Sequence, residues 1–235
     1  MIFKSSAIRR IILLILGATL TFVILLFLSL PHIGVANEQR PAVLFQGTAV
    51  FVAVFSIFIT AISSIITISR AKRLQTLTAW SNWFDTTKDD RLRIIRHFSG
   101  QQPTFMEVEL LTTPAKRTPE NLAVSSFGDK NELEDIKRKI MEVLSGLERI
   151  AVGVEEGIYD VDTLRRIGGS SIIRYHDRFD DYIQYLQTHP DKNIRQERAY
   201  KSFAQMAAEI KEQNDKIIRK ERAKRADREA LRRRY

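Results

Sequence analysis

Residues 41–73 decide the architecture of this chain, and they read PAVLFQGTAVFVAVFSIFITAISSIITISRAKR. The first 29 positions of this stretch carry no charge, and Arg70, Lys72 and Arg73 then follow. An uncharged apolar run of this length can cross the hydrocarbon core of a bilayer with some tilt. The pattern therefore predicts a transmembrane helix over residues 43–69 that ends at a basic cluster.

A second uncharged run lies upstream of the first. Residues 11–30 contain 15 Leu, Ile, Phe or Val in 20 positions, a composition that favours membrane insertion by about 6 kcal/mol. The connecting residues 31–42 are too few to hold a folded domain, so we expect a two-helix transmembrane hairpin. The alternative for residues 11–30 is a cleaved signal peptide, although the run exceeds the roughly 7 to 15 apolar residues of an ordinary signal core.

Basic residues flank this hairpin on one side of the membrane. The basic residues that precede the first span or follow the second are Lys4, Arg9, Arg10, Arg70, Lys72 and Arg73. The loop itself holds Arg40, which Glu38 balances. Because positive charge accumulates on the cytoplasmic side, we expect a multi-pass protein with both termini, including residues 1–10, in the cytoplasm.

Small residues recur at three- or four-residue spacing along the second span. We call this set the small-residue face: Ala49, Ala53, Ser56, Thr60 and Ser63. Such a face lets a neighbouring helix approach closely within a bilayer. Two interpretations stay open here: the face packs on the first span, or it packs on another copy in a homo-oligomer.

The polar remainder predicts an all-α cytoplasmic domain. Residues 70–130 predict a juxtamembrane helix followed by loops, and Trp80 and Trp83 are expected to begin the core rather than to lie at the membrane surface. A short ordered piece is expected near residues 105–111.

The clearest soluble helix follows this loop region. Apolar residues recur at steps of three or four from residue 133 to 154, which predicts a long helix with Asn131 as its N-cap. Residues 131–215 predict the helical core. Within it, Asp160 is expected to cap a short helix, and the pair Gly168 and Gly169 is expected to end that helix before the next one.

The chain is basic, with 37 Lys and Arg against 28 Asp and Glu, and residues 216–235 carry ten cations against three anions. The predicted polyanion-binding residues of this tail are Arg219, Lys220, Arg222, Lys224, Arg225, Arg228, Arg232, Arg233 and Arg234. Three interpretations remain open: a solvated extension, a site for nucleic acid or a reverse transcriptase nucleoprotein, and a site for anionic lipid in the bilayer.

Candidate catalytic groups are few. The absence of cysteine excludes thiolate metal sites and thiol nucleophiles, and no Gly-rich phosphate loop is present. Arg91 and His97 have the spacing of a family of all-helical ribonucleases, a minor alternative. His176 and Asp177 form the dipeptide of metal phosphohydrolases without the further ligands. We therefore expect no enzyme activity, metal or cofactor.

Two resemblances extend this interpretation. Residues 140–187, IMEVLSGLERIAVGVEEGIYDVDTLRRIGGSSIIRYHDRFDDYIQYLQ, and residues 198–206, RAYKSFAQM, resemble an uncharacterised bacterial and phage family that often follows N-terminal membrane helices. The layout also resembles the two-transmembrane effectors that accompany reverse transcriptases in retron anti-phage systems. This likeness implies a non-enzymatic effector of abortive infection in the cell inner membrane; the alternative is a membrane-tethered scaffold that recruits a nucleoprotein or anionic lipid.

Overall fold

The computed structural model describes residues 17, 21 and 40–232, and this part of the chain is helical without any strand. Its helices are α1 (Arg40–Thr86), α2 (Lys88–His97), α3 (Phe105–Thr112), α4 (Pro119–Val124), α5 (Lys130–Glu155), α6 (Val161–Thr188) and α7 (Lys201–Arg232), with a 3-10 turn at Pro114–Lys116. The chain divides into two units, Met1–Arg70 and Ala71–Tyr235. The all-α prediction is confirmed for the described residues.

The first unit contains the apolar part of α1. Among the described residues, one helix is long and apolar enough to cross a membrane; the stretch Ala49–Thr86 has a peak mean hydropathy of 2.5. Of the first predicted span, the structure describes only Gly17 and Thr21, both helical. The rest of that span and most of the connecting loop lie outside the described residues, so the two-helix hairpin stays a prediction.

Hydroxyl groups on this apolar helix bond to its own backbone. Ser56 Oγ donates to the Val52 carbonyl, and Thr60 Oγ1 donates to the Ser56 carbonyl, each at 2.8 Å. Because each hydroxyl has an acceptor within the helix, these side chains are compatible with an apolar environment.

The second unit is built around α5, α6 and α7. Helix α5 packs against α2 and α7, while α6 packs against α7 and α3. Its fully buried large side chains include Phe127, Leu133, Ile140, Leu147, Phe179 and Phe203. The three- or four-residue spacing in α5 places Leu133, Ile136 and Ile140 on one buried face, as the sequence predicted.

The start of α5 differs from the prediction. Asp129, rather than Asn131, is the N-cap, and its carboxylate accepts a hydrogen bond from the Glu132 backbone N–H at 2.8 Å. Gly128 precedes this cap with a φ of +63°, a conformation that glycine adopts without strain. The helix therefore begins two residues earlier than the apolar pattern alone indicates.

The predicted break at Gly168 and Gly169 is wrong, because α6 runs through both residues. Gly168 lies against the indole of Trp80: a Cβ at this position would be 2.3 Å from Trp80 Cζ2. The glycine is explained by this close approach of two helices and not by a turn. Asp160 does precede α6, although its side chain makes no capping bond to the helix backbone.

The segment predicted as loop, residues 99–130, contains three short helical elements. Helix α3 begins with a capping box in which Thr104 and Glu107 exchange side-chain and backbone hydrogen bonds. Helix α4 begins at Pro119 with Thr118 as its N-cap. Helix α3 coincides with the short ordered piece that was expected near residues 105–111. The 3-10 turn and α4 are too short to show a sustained apolar period, so the sequence pattern did not predict them.

We expect Gly168→Ala to destabilise the second unit by about 1–3 kcal/mol, because the added methyl group collides with the Trp80 ring. A helical glycine without such a neighbour would instead gain about 1 kcal/mol from the same change, so the sign of the effect is diagnostic. Urea denaturation followed by tryptophan fluorescence and circular dichroism measures it.

The double variant Trp80→Leu with Gly168→Ala supplies the control, since leucine lacks the ring atoms that meet the new methyl group. In that background the alanine substitution should cost much less. An equal cost in both backgrounds would show that the Trp80 ring does not set the requirement for glycine.

Candidate functional site

Two indoles from α1 fill glycine notches in the helices around them. Trp80 packs on Gly168 of α6, and Trp83 packs on Gly146 of α5, where a Cβ would lie 2.4 Å from Trp83 Cδ1. We call these four residues the tryptophan clamp. The Trp83 Nε1–H donates to the Val143 carbonyl at 3.2 Å, so the buried indole has a partner. The prediction that these tryptophans belong to the core is confirmed.

The C-terminal part of α1 also contacts the start of α6. Thr76 is fully buried, and its hydroxyl accepts a hydrogen bond from the Asp160 backbone N–H at 2.8 Å. The Arg73 guanidinium lies 3.6 Å from the Asp160 carboxylate. Together with the clamp, these contacts join α1 to both α5 and α6 within the second unit.

Arg91, the candidate phosphate-binding residue of the ribonuclease alternative, is buried beside aromatic rings. Its guanidinium carbon lies 3.9 Å from the centre of the Phe84 ring and 5.0 Å from that of Trp83. The same group donates to the Phe84 carbonyl and to the Thr87 hydroxyl. These contacts engage the guanidinium within the core of the second unit.

His97, the other residue of that alternative, belongs to a chain of hydrogen-bonding side chains. Its Nε2 lies 3.0 Å from the Ser126 hydroxyl, and its Nδ1 lies 3.4 Å from a Glu132 carboxylate oxygen. The Ser126 hydroxyl donates to the Glu107 carboxylate. Because that proton is directed to Glu107, Ser126 is not oriented as a nucleophile toward His97. The chain ties together α2, α3 and α5.

Glu107 is the more buried of the two carboxylates in this series of hydrogen-bonded side chains, with 8% of its surface exposed. Burial raises its pKa, but hydrogen bonds from the Ser126 hydroxyl and from the Thr104 backbone and side chain outweigh that effect and hold the pKa below its usual value. Glu107 is therefore ionised at neutral pH. The Thr104-Phe-Met-Glu107 sequence has the spacing of a capping box, a local signal for the start of α3.

Helix α7 begins beside a carboxylate from another helix. Glu148 of α5 accepts hydrogen bonds from the backbone N–H groups of Ser202 and Phe203, at 3.2 and 2.7 Å. An anion at this end of a helix satisfies orphan donors and is favoured by the helix dipole. Glu148 thus caps α7 from a distance, and no local sequence pattern indicates it.

The predicted basic tail is the exposed end of α7. The helix continues to Arg232, so residue 216 begins no new element. From Asp215 onward, every residue whose exposure is described is exposed on all sides of the helix. We call residues 215–232 the basic arm; 18 helical residues span about 27 Å.

The structure places most of the predicted polyanion-binding residues on this arm. Arg219, Lys220, Arg222, Lys224 and Arg225 are exposed. Arg228 and Arg232 lie within the helix, whereas Arg233 and Arg234 fall outside the described residues. The five cations whose exposure is described are therefore accessible from solvent along one helix.

The small-residue face of α1 is exposed along its length. All five of its residues are exposed: Ala49, Ala53, Ser56, Thr60 and Ser63. A different side of the helix, marked by Phe55, Ile62 and Ile66, is half-buried. The exposed face is therefore distinct from the side of α1 that is covered in the first unit.

The remaining candidate groups form no metal cluster within residues 17, 21 and 40–232. His176 lies beside Asp177 and Asp180 at 3.7 and 3.8 Å. Asp162 lies 3.7 Å from Arg165, and Glu155 accepts a hydrogen bond from Ser202. These are ordinary surface contacts between neighbouring helices and helix turns.

The protein is helical in its described part, and α1, its candidate membrane helix, also supplies Trp80 and Trp83 of the tryptophan clamp. The chain belongs to the family described as Domain of unknown function (DUF4760), whose model matches residues 44–210. The prediction of an uncharacterised family is thereby confirmed. No curated protein and no solved structure matches the chain.

The depressed pKa of Glu107 predicts an acid-dependent loss of stability. A carboxylate whose pKa falls on folding stabilises the folded state fully above its unfolded pKa, near 4.5, and this contribution disappears as the pH falls through the folded value. The stability difference between wild type and Glu107→Gln should therefore shrink on acidification from pH 7 to pH 3 in urea titrations.

Glu109→Gln, on the same short helix, is the matched control and should show a much smaller change in that difference. A Glu107→Gln difference that stays constant across the pH range would contradict the assignment of Glu107 as an ionised, hydrogen-bonded carboxylate.

Proposed function

We propose that this protein is a non-enzymatic, two-span effector of bacterial anti-phage defence in the cell inner membrane. In this proposal both termini are cytoplasmic, and the second unit keeps the spans inactive until a trigger arrives. Copies of the spans then associate and perturb the bilayer, as in abortive infection by the retron effectors that the layout resembles.

One observation carries this proposal: a single helix, α1, supplies both the candidate span and the tryptophan clamp. A domain that holds this helix through Trp80 and Trp83 has a direct means of acting on the span. The clamp is sterically demanding, because its glycines leave no room for a methyl group. A trigger that displaces α5 or α6 would therefore change the contacts of α1.

The small-residue face supports the self-association step. Its exposure in the first unit leaves it accessible to another helix, and small side chains allow the close backbone approach that stabilises helix pairs in lipid. Ser56 and Thr60 of this face already bond to their own backbone, so these two hydroxyls can be buried without losing a hydrogen bond.

Membrane depolarisation in living cells tests the effector function. We expect full-length protein, produced in a sensitised bacterial host without its partners, to depolarise the inner membrane. Ala53→Leu should reduce depolarisation by about tenfold or more, because added bulk on the small-residue face prevents close helix approach. A potential-sensitive dye measures the effect.

Ala61→Leu is the matched control, since Ala61 is exposed on another side of the same helix. The control variant should insert and depolarise like the wild type. Wild-type protein that inserts but never depolarises the membrane, even without its partners, would overturn the effector proposal. Equal loss in both variants would remove the face from the mechanism.

The basic arm favours a second candidate function, a membrane-tethered scaffold that recruits a nucleoprotein or anionic lipid. The arm projects cations on all sides and buries little of its own surface. Its large aliphatic residues with described exposure, Ile217 and Ile218, are 38% and 46% exposed. Attraction through this helix is therefore electrostatic rather than an insertion of an apolar face.

Salt dependence tests the arm. If about five cations contact phosphates, the slope of log affinity against log salt should lie near −4 for structured RNA. Neutralising Arg219, Lys220, Arg222, Lys224 and Arg225 to glutamine in the full-length protein should remove most of that slope. Fluorescence anisotropy across a salt series measures it, with anionic vesicles as the parallel ligand.

A control with the same change in charge neutralises Lys88, Arg96, Lys130, Lys192 and Arg198, which are exposed outside the arm. This variant should keep the slope within about one unit of wild type. If both variants bind RNA and vesicles like the wild type, the arm is a solvated extension and the scaffold function loses its support.

A further inference from the structure

A second exposed stripe lies on the part of α1 that belongs to the second unit. Leu74 is 66% exposed, Leu77 44% and Phe84 42%, and Ser81 between them is exposed as well. Large apolar side chains at this density on one helix side are unusual for a surface that faces only water. We call Leu74, Leu77, Ser81 and Phe84 the leucine stripe.

Leu74, Leu77 and Ser81 take no part in the core of their own chain, whereas Phe84 lies with one face of its ring against the Arg91 guanidinium. Helix α1 contacts α5 and α6 through Thr76, Trp80 and Trp83, which are buried. Leu74, Leu77 and Ser81 lie on average about 125° from these buried residues around a helix of 3.6 residues per turn, whereas Phe84 lies only about 40° from Trp80. Leu74, Leu77 and Ser81 therefore lie on a side of α1 that the domain leaves exposed, and Phe84 lies at the edge of that side.

The spacing of the stripe identifies the kind of partner it fits. Steps of three and four alternate from Leu74 through Leu77 and Ser81 to Phe84, which is the spacing of the two apolar positions in a heptad repeat. In sequence, the same alternation continues backward through Arg70 and Thr67 to the small-residue face. A strict 3.5-residue period over this length suits a supercoiled partner helix and not a flat surface.

A second copy of this chain meets this requirement. Copies inserted in one membrane share their orientation, so two α1 helices run parallel and each stripe position faces its equivalent. The four stripe residues carry no charge, so self-pairing brings no like charges together within the stripe. Arg70, the charged position of the extended repeat, has a long side chain that can turn its charged end outward.

We propose that the leucine stripe is the seam of a parallel coiled coil between two or more copies of this protein, next to the candidate span. This inference names a partner and residues for the self-association in the proposed function, but the pairing does not require toxicity or a trigger. The seam would hold copies together before the spans rearrange.

Disulfide crosslinking of the full-length protein in native membranes tests the seam cleanly, because the chain has no cysteine of its own. Single variants Leu74→Cys, Leu77→Cys, Ser81→Cys and Phe84→Cys should crosslink to dimers upon mild oxidation. Exposed positions on another side, Gln75→Cys, Asn82→Cys and Thr86→Cys, should give at least fivefold less dimer. Non-reducing electrophoresis measures both sets.

The pattern of crosslinks decides the result. Dimer yield that follows the three and four spacing supports the seam, whereas equal yields at all seven positions, or none, overturn it. A crosslinked product of another mass would assign the stripe to a different protein and also overturn the proposal. Unchanged tryptophan fluorescence confirms that each variant is folded. Because the crosslinking yields do not depend on depolarisation, failure of the seam can be distinguished from failure of the effector function.

Discussion

The contact between an indole ring and a glycine backbone sets the arrangement of the second unit. Trp80 and Trp83 are large, flat side chains on successive turns of α1, with ring centres 4.8 Å apart. Helices α5 and α6 each receive one ring where a glycine leaves the backbone bare. Because close-packed interiors tolerate little change in volume, the positions of these glycines fix how far each helix can approach α1.

Other buried groups of the domain depend on that arrangement. The Trp83 ring lies 6.0 Å from Tyr175 in an edge-to-face contact, and the Arg91 guanidinium lies over the neighbouring Phe84 ring. Burial raises the pKa of Tyr175, so this phenol stays neutral inside the cluster. The Arg91 guanidinium is surrounded by ring faces, the Phe84 carbonyl and the Thr87 hydroxyl.

The sequence predicted those features that depend on a repeated local pattern. The uncharged run before Arg70 predicted the long apolar helix. The spacing of Leu133, Ile136 and Ile140 predicted α5, because a helix with one buried face repeats its apolar residues every three or four positions. A pair of glycines contains no repeated pattern of this kind. Gly168 and Gly169 suit a turn as well as a close helix contact, and the choice depends on Trp80, 88 residues away in the chain.

The candidate site was less accessible to sequence reasoning, because its contacts join distant segments. Glu148 caps a helix that begins more than 50 residues later, and Ser126, between α4 and α5, joins His97 of α2 to Glu107 of α3. The tail, in contrast, was recognisable from its charge alone, since no neighbour is needed to explain exposed cations. What the sequence could not supply was that this tail is an extension of α7, whose first turn Glu148 anchors to α5.

Helix α1 illustrates how one continuous element satisfies several environments at once. Its apolar part needs every hydroxyl bonded within the helix, and Ser56 and Thr60 meet that need. Its polar part needs one face for the core, which Trp80 and Trp83 supply. Leu74, Leu77 and Ser81 of the leucine stripe contribute neither to the hydrogen-bonded hydroxyl pattern of the span nor to the core face. Leu74 and Leu77 are exposed and take no part in the core. In water their apolar surface costs roughly 25 cal/mol for each Å², and the partner helix that we propose would remove that cost.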